Sequence, residues 1–239
     1  MVHIIEFQRV LKYWLEEDEK NLNDLNFSKL FPNFDLMPSD YLQFAEEELE
    51  LIEKHPENVR LKINSILHLK RALDCQMDIF FYAFGLHEYI KRKNLGINTK
   101  LEFFKELGLI NSRVIERFNI IRNRIEHNYK IPEINEVEVY YDLINSIISN
   151  IDKVIHSVAT TSGNTRHSFE NDRALEVVYE RKNGPSVRFK VINENGEVYE
   201  GNSTIEDSRE EFIYFLKVFI YWNSENPIKK QREKLLNSK

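Results

Sequence analysis

Cysteine is almost missing from this chain of 239 residues, which holds a single one, Cys75. One thiol cannot close an intramolecular disulfide, and without Cys clusters zinc ribbons and fingers are excluded. A lone cysteine in a helical pattern suits a reducing compartment, so a cytoplasmic location is expected. Long apolar runs are absent as well. In the longest helical stretch the uncharged apolar segment covers only residues 79–86, far below the ~20 residues of a membrane span. The opening residues, Met1-Val2-His3-Ile4-Ile5-Glu6, lack the basic region and long apolar run of a secretory signal, so no membrane partner is expected. No Gly-rich phosphate loop is present, which leaves P-loop nucleotide hydrolysis unsupported. His68, His87 and His156 do not pair at metal-ligand spacing, and neither a metal nor a cofactor is expected.

Positive charge is also in deficit, with 33 Lys and Arg against 39 Asp and Glu and a net charge of −6. That balance argues against a broad surface that coats RNA without specificity. The distribution is uneven, however. Residues 112–130 contain Arg113, Arg117, Arg122, Arg124 and Lys130 against Glu116 and Glu126, a local +3. Residues 227–239 form a basic tail of local charge +4. Acidic residues gather at 16–19 and 46–53. A local basic cleft is compatible with the global charge, although stretches of this kind are more often simple solvated faces.

What the chain does have is apolar periodicity. With 42% hydrophobic and 12% aromatic residues, it can bury one sizeable core and a small second module. Helical spacing is present at 4–21, at 40–55 behind a cap at Ser39 or Asp40, and at 57–93, where Ile63, Ile66, Leu67, Leu73, Met77, Phe80, Phe81 and Phe84 make a spine interrupted only by Gly85. The aromatics Phe80, Phe81, Tyr82 and Phe84 suit a core or a dimer interface. A short helix is expected at 99–107, ended by Gly108, then a helix capped by Ser112, then a long one at 136–158. Short connections favour an up-and-down bundle over residues 1–158. Residues 159–172 are rich in turn formers and read as a linker. Beyond them, strand alternation at 175–180, 187–191 and 198–200, followed by a helix at 208–222, predicts a three-strand β-meander plus helix within a module at 173–239. The class is therefore mainly α, with a small α+β appendage.

One stretch carries chemistry. Residues 122–129 read Arg-Asn-Arg-Ile-Glu-His-Asn-Tyr. Val114, Phe118, Ile121 and Ile125 recur at spacings of four, three and four and define the buried stripe of their helix. Asn123 and His127, one turn apart, share a face away from that stripe. Arg122 and His127 stand about 140° apart on an ideal helix, so they meet through the length of the Arg side chain, through a loosened helix end, or through a second copy of the chain. Pro132 should end the helix between His127 and Ile131.

Arg122, the polar Asn123 and His127 resemble the R-x4-H signature of HEPN domains, and Tyr129 extends it to R-x4-H-x-Y, similar to HEPN toxins paired with nucleotidyltransferase antitoxins. The resemblance covers roughly residues 40–158. It implies a metal-independent endoribonuclease, a toxin or defence effector, that acts on RNA as a homodimer with two motifs facing a shared cleft. Under it Arg122 holds the scissile phosphate, His127 is the general acid or base, and Asn123 orients the His or the phosphate. Tyr129 lines the cleft and matches the Tyr that such an antitoxin adenylylates. Arg124 and Lys130 are expected to help bind the substrate. Asp74 and Asp78 share a helix face and could aim Arg122 or His127, or else pair with Arg71 one turn away. Tyr140 and Tyr141 could stack bases or simply pack between helices. The alternative is a non-catalytic HEPN-like scaffold binding a nucleotide, RNA or protein.

Overall fold

The chain folds as two units, Leu30–Ala83 with His87–Lys153, and a second that includes Phe84–Leu86 and Val154–Lys239. The computed structural model describes residues 8, 31–126, 129–160, 164–168, 174–181, 184–193 and 195–223. The helix expected at 4–21, His127 and the basic tail at 227–239 lie outside the described residues, apart from Gln8.

The first unit is helical. Helix α1 (Pro38–Lys54) packs along α2 (Val59–Ala83), and α3 (His87–Arg92), α4 (Ile97–Glu106), α5 (Ser112–Glu126) and α6 (Ile134–Thr160) follow, α6 continuing beyond Lys153 into the second unit. The start of α1 differs from expectation. Its N-cap residue is Met37, Pro38 occupies the first turn, and Asp40 reaches back to accept from the Met37 N–H at 2.7 Å. Proline is favoured there because the first helical N–H has no partner to lose. Close approach of α1 and α2 is helped by the buried Ser65, whose Oγ donates to the Ala45 carbonyl at 3.2 Å.

The expected 57–93 spine is two helices. A left-handed Gly85 (φ 66°) separates α2 from α3, so the apolar period continues across a break that glycine permits at low cost. Four buried phenylalanines bind α2 to α4. Phe80 and Phe104 have ring centroids 4.7 Å apart, and Phe81 meets Phe103 edge-on at 5.3 Å, both within the favourable range for aromatic pairs. Phe118 of α5 stacks on Tyr140 of α6 at 5.7 Å. Tyr140 is thus core, as helix packing required.

Helix α5 is capped one residue earlier than expected. Asn111, not Ser112, supplies the cap, its Oδ1 accepting from the Val114 N–H at 3.0 Å. Both residue types cap well, and the sequence places them side by side. Helix α4 ends as foreseen, with Gly108 at φ 79° and the Leu109 N–H returning to the Phe104 carbonyl.

The second unit holds an antiparallel sheet in the order β1-β2-β3-β4, made of Asn164–Ser168, Ala174–Glu180, Ser186–Ile192 and Val198–Thr204, with α7 (Arg209–Trp222) against one face. Strand β1 corrects the linker expected at 159–172, and α6 itself runs to Thr160. The segment Asn-Thr-Arg-His-Ser has no apolar alternation. It is a strand because its backbone pairs with β2, Asn164 opposite Val178 and Ser168 opposite Ala174. Leu175, Val177 and Tyr179 of β2 and Val187, Phe189 and Val191 of β3 are buried. Phe189 stacks on Phe215 of α7 at 4.0 Å, and Tyr179 on Phe219 at 5.4 Å. The Tyr179 hydroxyl donates to the Phe84 carbonyl in the turn that follows α2. Ser208 caps α7 by accepting from the Glu211 N–H.

Candidate functional site

Helix α5 presents the motif. Ile115 and Phe118 are buried, while Val114, Ile121 and Ile125 are half-buried, so the inward stripe is the expected one with Ile115 added. Arg122 is half-buried and Asn123 exposed. The Arg122 Nη1 donates to Asn98 Oδ1 at 2.7 Å. Asn98 lies in the first turn of α4, 24 residues earlier, and sequence reasoning missed it. His127, the expected acid or base, lies outside the described residues.

The chain beyond the helix folds back over its end. The Lys130 N–H donates to the Arg124 carbonyl at 3.0 Å, and Tyr129 adopts a left-handed backbone with φ 52°. Tyr129 is 88% exposed, and Lys130 is exposed beside it. Among the described residues the helix extends to Glu126, and Tyr129 is outside it.

Arg124, expected to help bind the substrate, has a partner within the chain. Its guanidinium is bonded to the Glu136 carboxylate at the start of α6. Glu136 also accepts from the Glu133 N–H at 3.1 Å. This bridge ties the end of α5 to the start of α6.

Asp74 and Asp78, one turn apart on α2, are both bonded to Lys100 Nζ, at 2.8 and 2.6 Å. The Lys100 side chain is only 8% exposed. Burial opposes its charge, but the hydrogen bonds to Asp74 and Asp78 outweigh that and raise its pKa above the usual lysine value. Burial in turn raises the Asp78 pKa, against the pull of Lys100 and with the negative charge of Asp74 adding to it. The counter-ion of the aspartate pair is thus Lys100 of α4, where the sequence offered Arg71. The available signal was a lysine directly before the apolar residues Leu101, Phe103 and Phe104, a place where an unpaired ammonium would be costly.

Beside these carboxylates lies an open recess of about 560 Å³ lined in part by Leu36, Tyr41, Arg71 and Cys75. Burial, then the charges of Asp78 and Asp74, push the Cys75 thiol up to about 11. The raised value lowers the thiolate fraction at neutral pH, and the thiolate is the nucleophilic form.

No family model, curated protein or solved structure matches the chain.

Among the described residues no group of three or more His, Cys, Asp or Glu side chains is placed to hold a metal ion, and no helix is long and apolar enough to cross a membrane. Tyr141 is half-buried on α6. Its hydroxyl is bonded to Glu46 of α1, and burial followed by the Glu46 charge raises its pKa. The arrangement at the end of α5 therefore consists of one oriented guanidinium, an exposed amide one residue on, an exposed tyrosine and an exposed lysine.

Proposed function

We propose that the chain is a HEPN-like, metal-independent endoribonuclease acting as a homodimer, with the motifs of two copies facing one RNA-binding cleft. The observation that carries this reading is Tyr129. A large aromatic residue that is 88% exposed and held at φ 52° gains little from packing and bears the cost of a left-handed backbone. Such a residue suits contact with something outside its own fold. It is two residues beyond His127 and seven beyond an Arg122 whose guanidinium is already oriented.

In this reading Arg122 binds the scissile phosphate and stabilises the charge that develops on its oxygens. His127 exchanges the proton, as an imidazole can near neutral pH. The RNA 2′-oxygen attacks phosphorus as its proton is removed, the 5′-oxygen leaves and takes up a proton, and a cyclic phosphate remains. Asn123, exposed on the same side as the expected His127, orients the phosphate or the imidazole. Lys130 adds charge for the RNA backbone. Tyr129 stacks on a base, and it is also the position at which a nucleotidyltransferase-type antitoxin would act.

The alternative reading, a non-catalytic HEPN-like scaffold binding nucleotide, RNA or protein, draws on Arg124. That side chain, expected to contact substrate, is engaged by Glu136. One experiment separates the two readings. A mixed RNA pool is incubated without divalent metal with wild type, His127→Ala and Arg122→Ala, and oligomeric state is followed by light scattering. Cleavage lost in both folded, dimeric variants supports the nuclease. An inert wild type that still binds RNA or nucleotide supports the scaffold.

A further inference from the structure

Two residues of α4 stand between the motif helix and the aspartate pair of α2. Asn98 bonds Arg122 on one side, and Lys100, two residues on, bonds Asp74 and Asp78 on the other. The same short helix is anchored by Phe103 and Phe104 against Phe80 and Phe81. The backbone that carries Asn98 is thus fixed by the ion pairs of the nearly buried Lys100 and by aromatic packing, although Asn98 itself is exposed. A flexible arginine near the surface samples many rotamers, whereas a bond to one nitrogen of its planar guanidinium sets the plane of the whole fork.

We infer that Asn98 is a positioning residue for Arg122, with α4 acting as the rigid arm that holds the guanidinium in one orientation before any ligand arrives. This rests on the reading of Arg122 as the phosphate-binding group, but the orientation can be measured without any catalysis. Orientation fixed in advance lowers a barrier because the ordering is complete before the reaction begins.

The test uses the full chain with ¹⁵N-labelled arginine side chains, in wild type, Asn98→Ala and Asn98→Asp, with folding checked by circular dichroism. The Arg122 guanidinium signal is assigned by its loss in Arg122→Lys. In wild type it should show slowed rotation about the Cζ–Nε bond. Asn98→Ala should release that rotation, and Asn98→Asp, which keeps the acceptor oxygen, should retain it. In RNA cleavage, Asn98→Ala should lower kcat roughly 10-fold with KM nearly unchanged. Asn98→Asp should keep kcat and raise KM, because its added charge repels the phosphate. An Arg122 signal in Asn98→Ala identical to wild type, or an unchanged kcat, overturns the inference. A wild type that cuts no RNA removes the nuclease reading only, and the guanidinium dynamics then decide the inference by themselves.

Discussion

Lys100 Nζ lies 2.6 Å from Asp78 Oδ1, with the lysine almost fully buried and the aspartate side chain 38% exposed. A second bond to Asp74 completes a cluster of one cation and two anions joining α4 to α2. Lys100→Met should leave the two carboxylates facing each other without a counter-ion. The expected loss of stability is about 2 kcal/mol, below the ~3–5 kcal/mol of a fully buried pair because water reaches both aspartates. Urea denaturation measures it, and adding Asp74→Asn and Asp78→Asn to Lys100→Met should recover part of the loss. An unchanged midpoint in Lys100→Met would show that the cluster contributes nothing to holding α4.

Cys75 should be chemically quiet. With its pKa raised from 9.0 to about 11, its thiolate fraction near pH 8 is about 100-fold below that of an unperturbed thiol, and alkylation should slow in proportion. Iodoacetamide kinetics against pH on the native chain give the number. The linkage has a definite sign. The folded value is the higher one, so the stabilising contribution is complete below pH 9 and is lost as pH rises towards 11. Cys75→Ala should therefore show a smaller fall in denaturation midpoint across that window than wild type. Rapid alkylation at pH 7 would contradict the burial of this thiol.

Gly201 has a packing role. A Cβ at that position would sit 2.6 Å from Phe189 Cζ, and Phe189 cannot retreat because it is stacked on Phe215 of α7. Gly201→Ala should cost about 1–3 kcal/mol. Phe189→Leu in the same chain should relieve the clash, so the two costs should sum to more than the double variant shows. Additive costs would rule out the contact as their source.

Tyr179→Phe removes a hydroxyl that is fully buried and bonded to the Phe84 carbonyl. Burial raises its pKa above the ordinary tyrosine range, opposed by the charge of Arg181. Loss of the bond leaves a buried carbonyl short of a donor, at a cost of about 1–3 kcal/mol. Thermal unfolding checks this, and RNA cleavage by the same variant should stay at the wild-type level. A cleavage defect without a stability defect would tie this turn to the candidate site instead.

Helix positions were legible because apolar spacing is a local property. The helices expected at 40–55, 99–107 and 136–158 are found within a few residues of those spans, while the one expected at 57–93 is divided at Gly85, and the strands at 175–180, 187–191 and 198–200 were visible by alternation. Capping atoms were less legible, since Asn111 and Ser112, or Met37 and Ser39, satisfy the same local rule and only backbone geometry selects between them. Strand β1 was invisible for a different reason. It carries no apolar alternation of its own and exists by hydrogen bonding to β2.

At the candidate site, the sequence by itself determined that Arg122, Asn123 and Tyr129 gather near one helix end with an exposed polar face, because a helix repeats every 3.6 residues. Tertiary structure alone decided which atoms meet. Asn98 reaches Arg122 across 24 residues, Lys100 reaches Asp74 and Asp78 across 26 and 22, and Glu136 takes Arg124 across 12. Charge type and helical period define which groups need a partner. The choice of partner depends on how α4 and α6 dock against their neighbours, and that docking is set by shared apolar contacts such as Phe81 with Phe103 and Phe118 with Tyr140, which no local window of sequence contains.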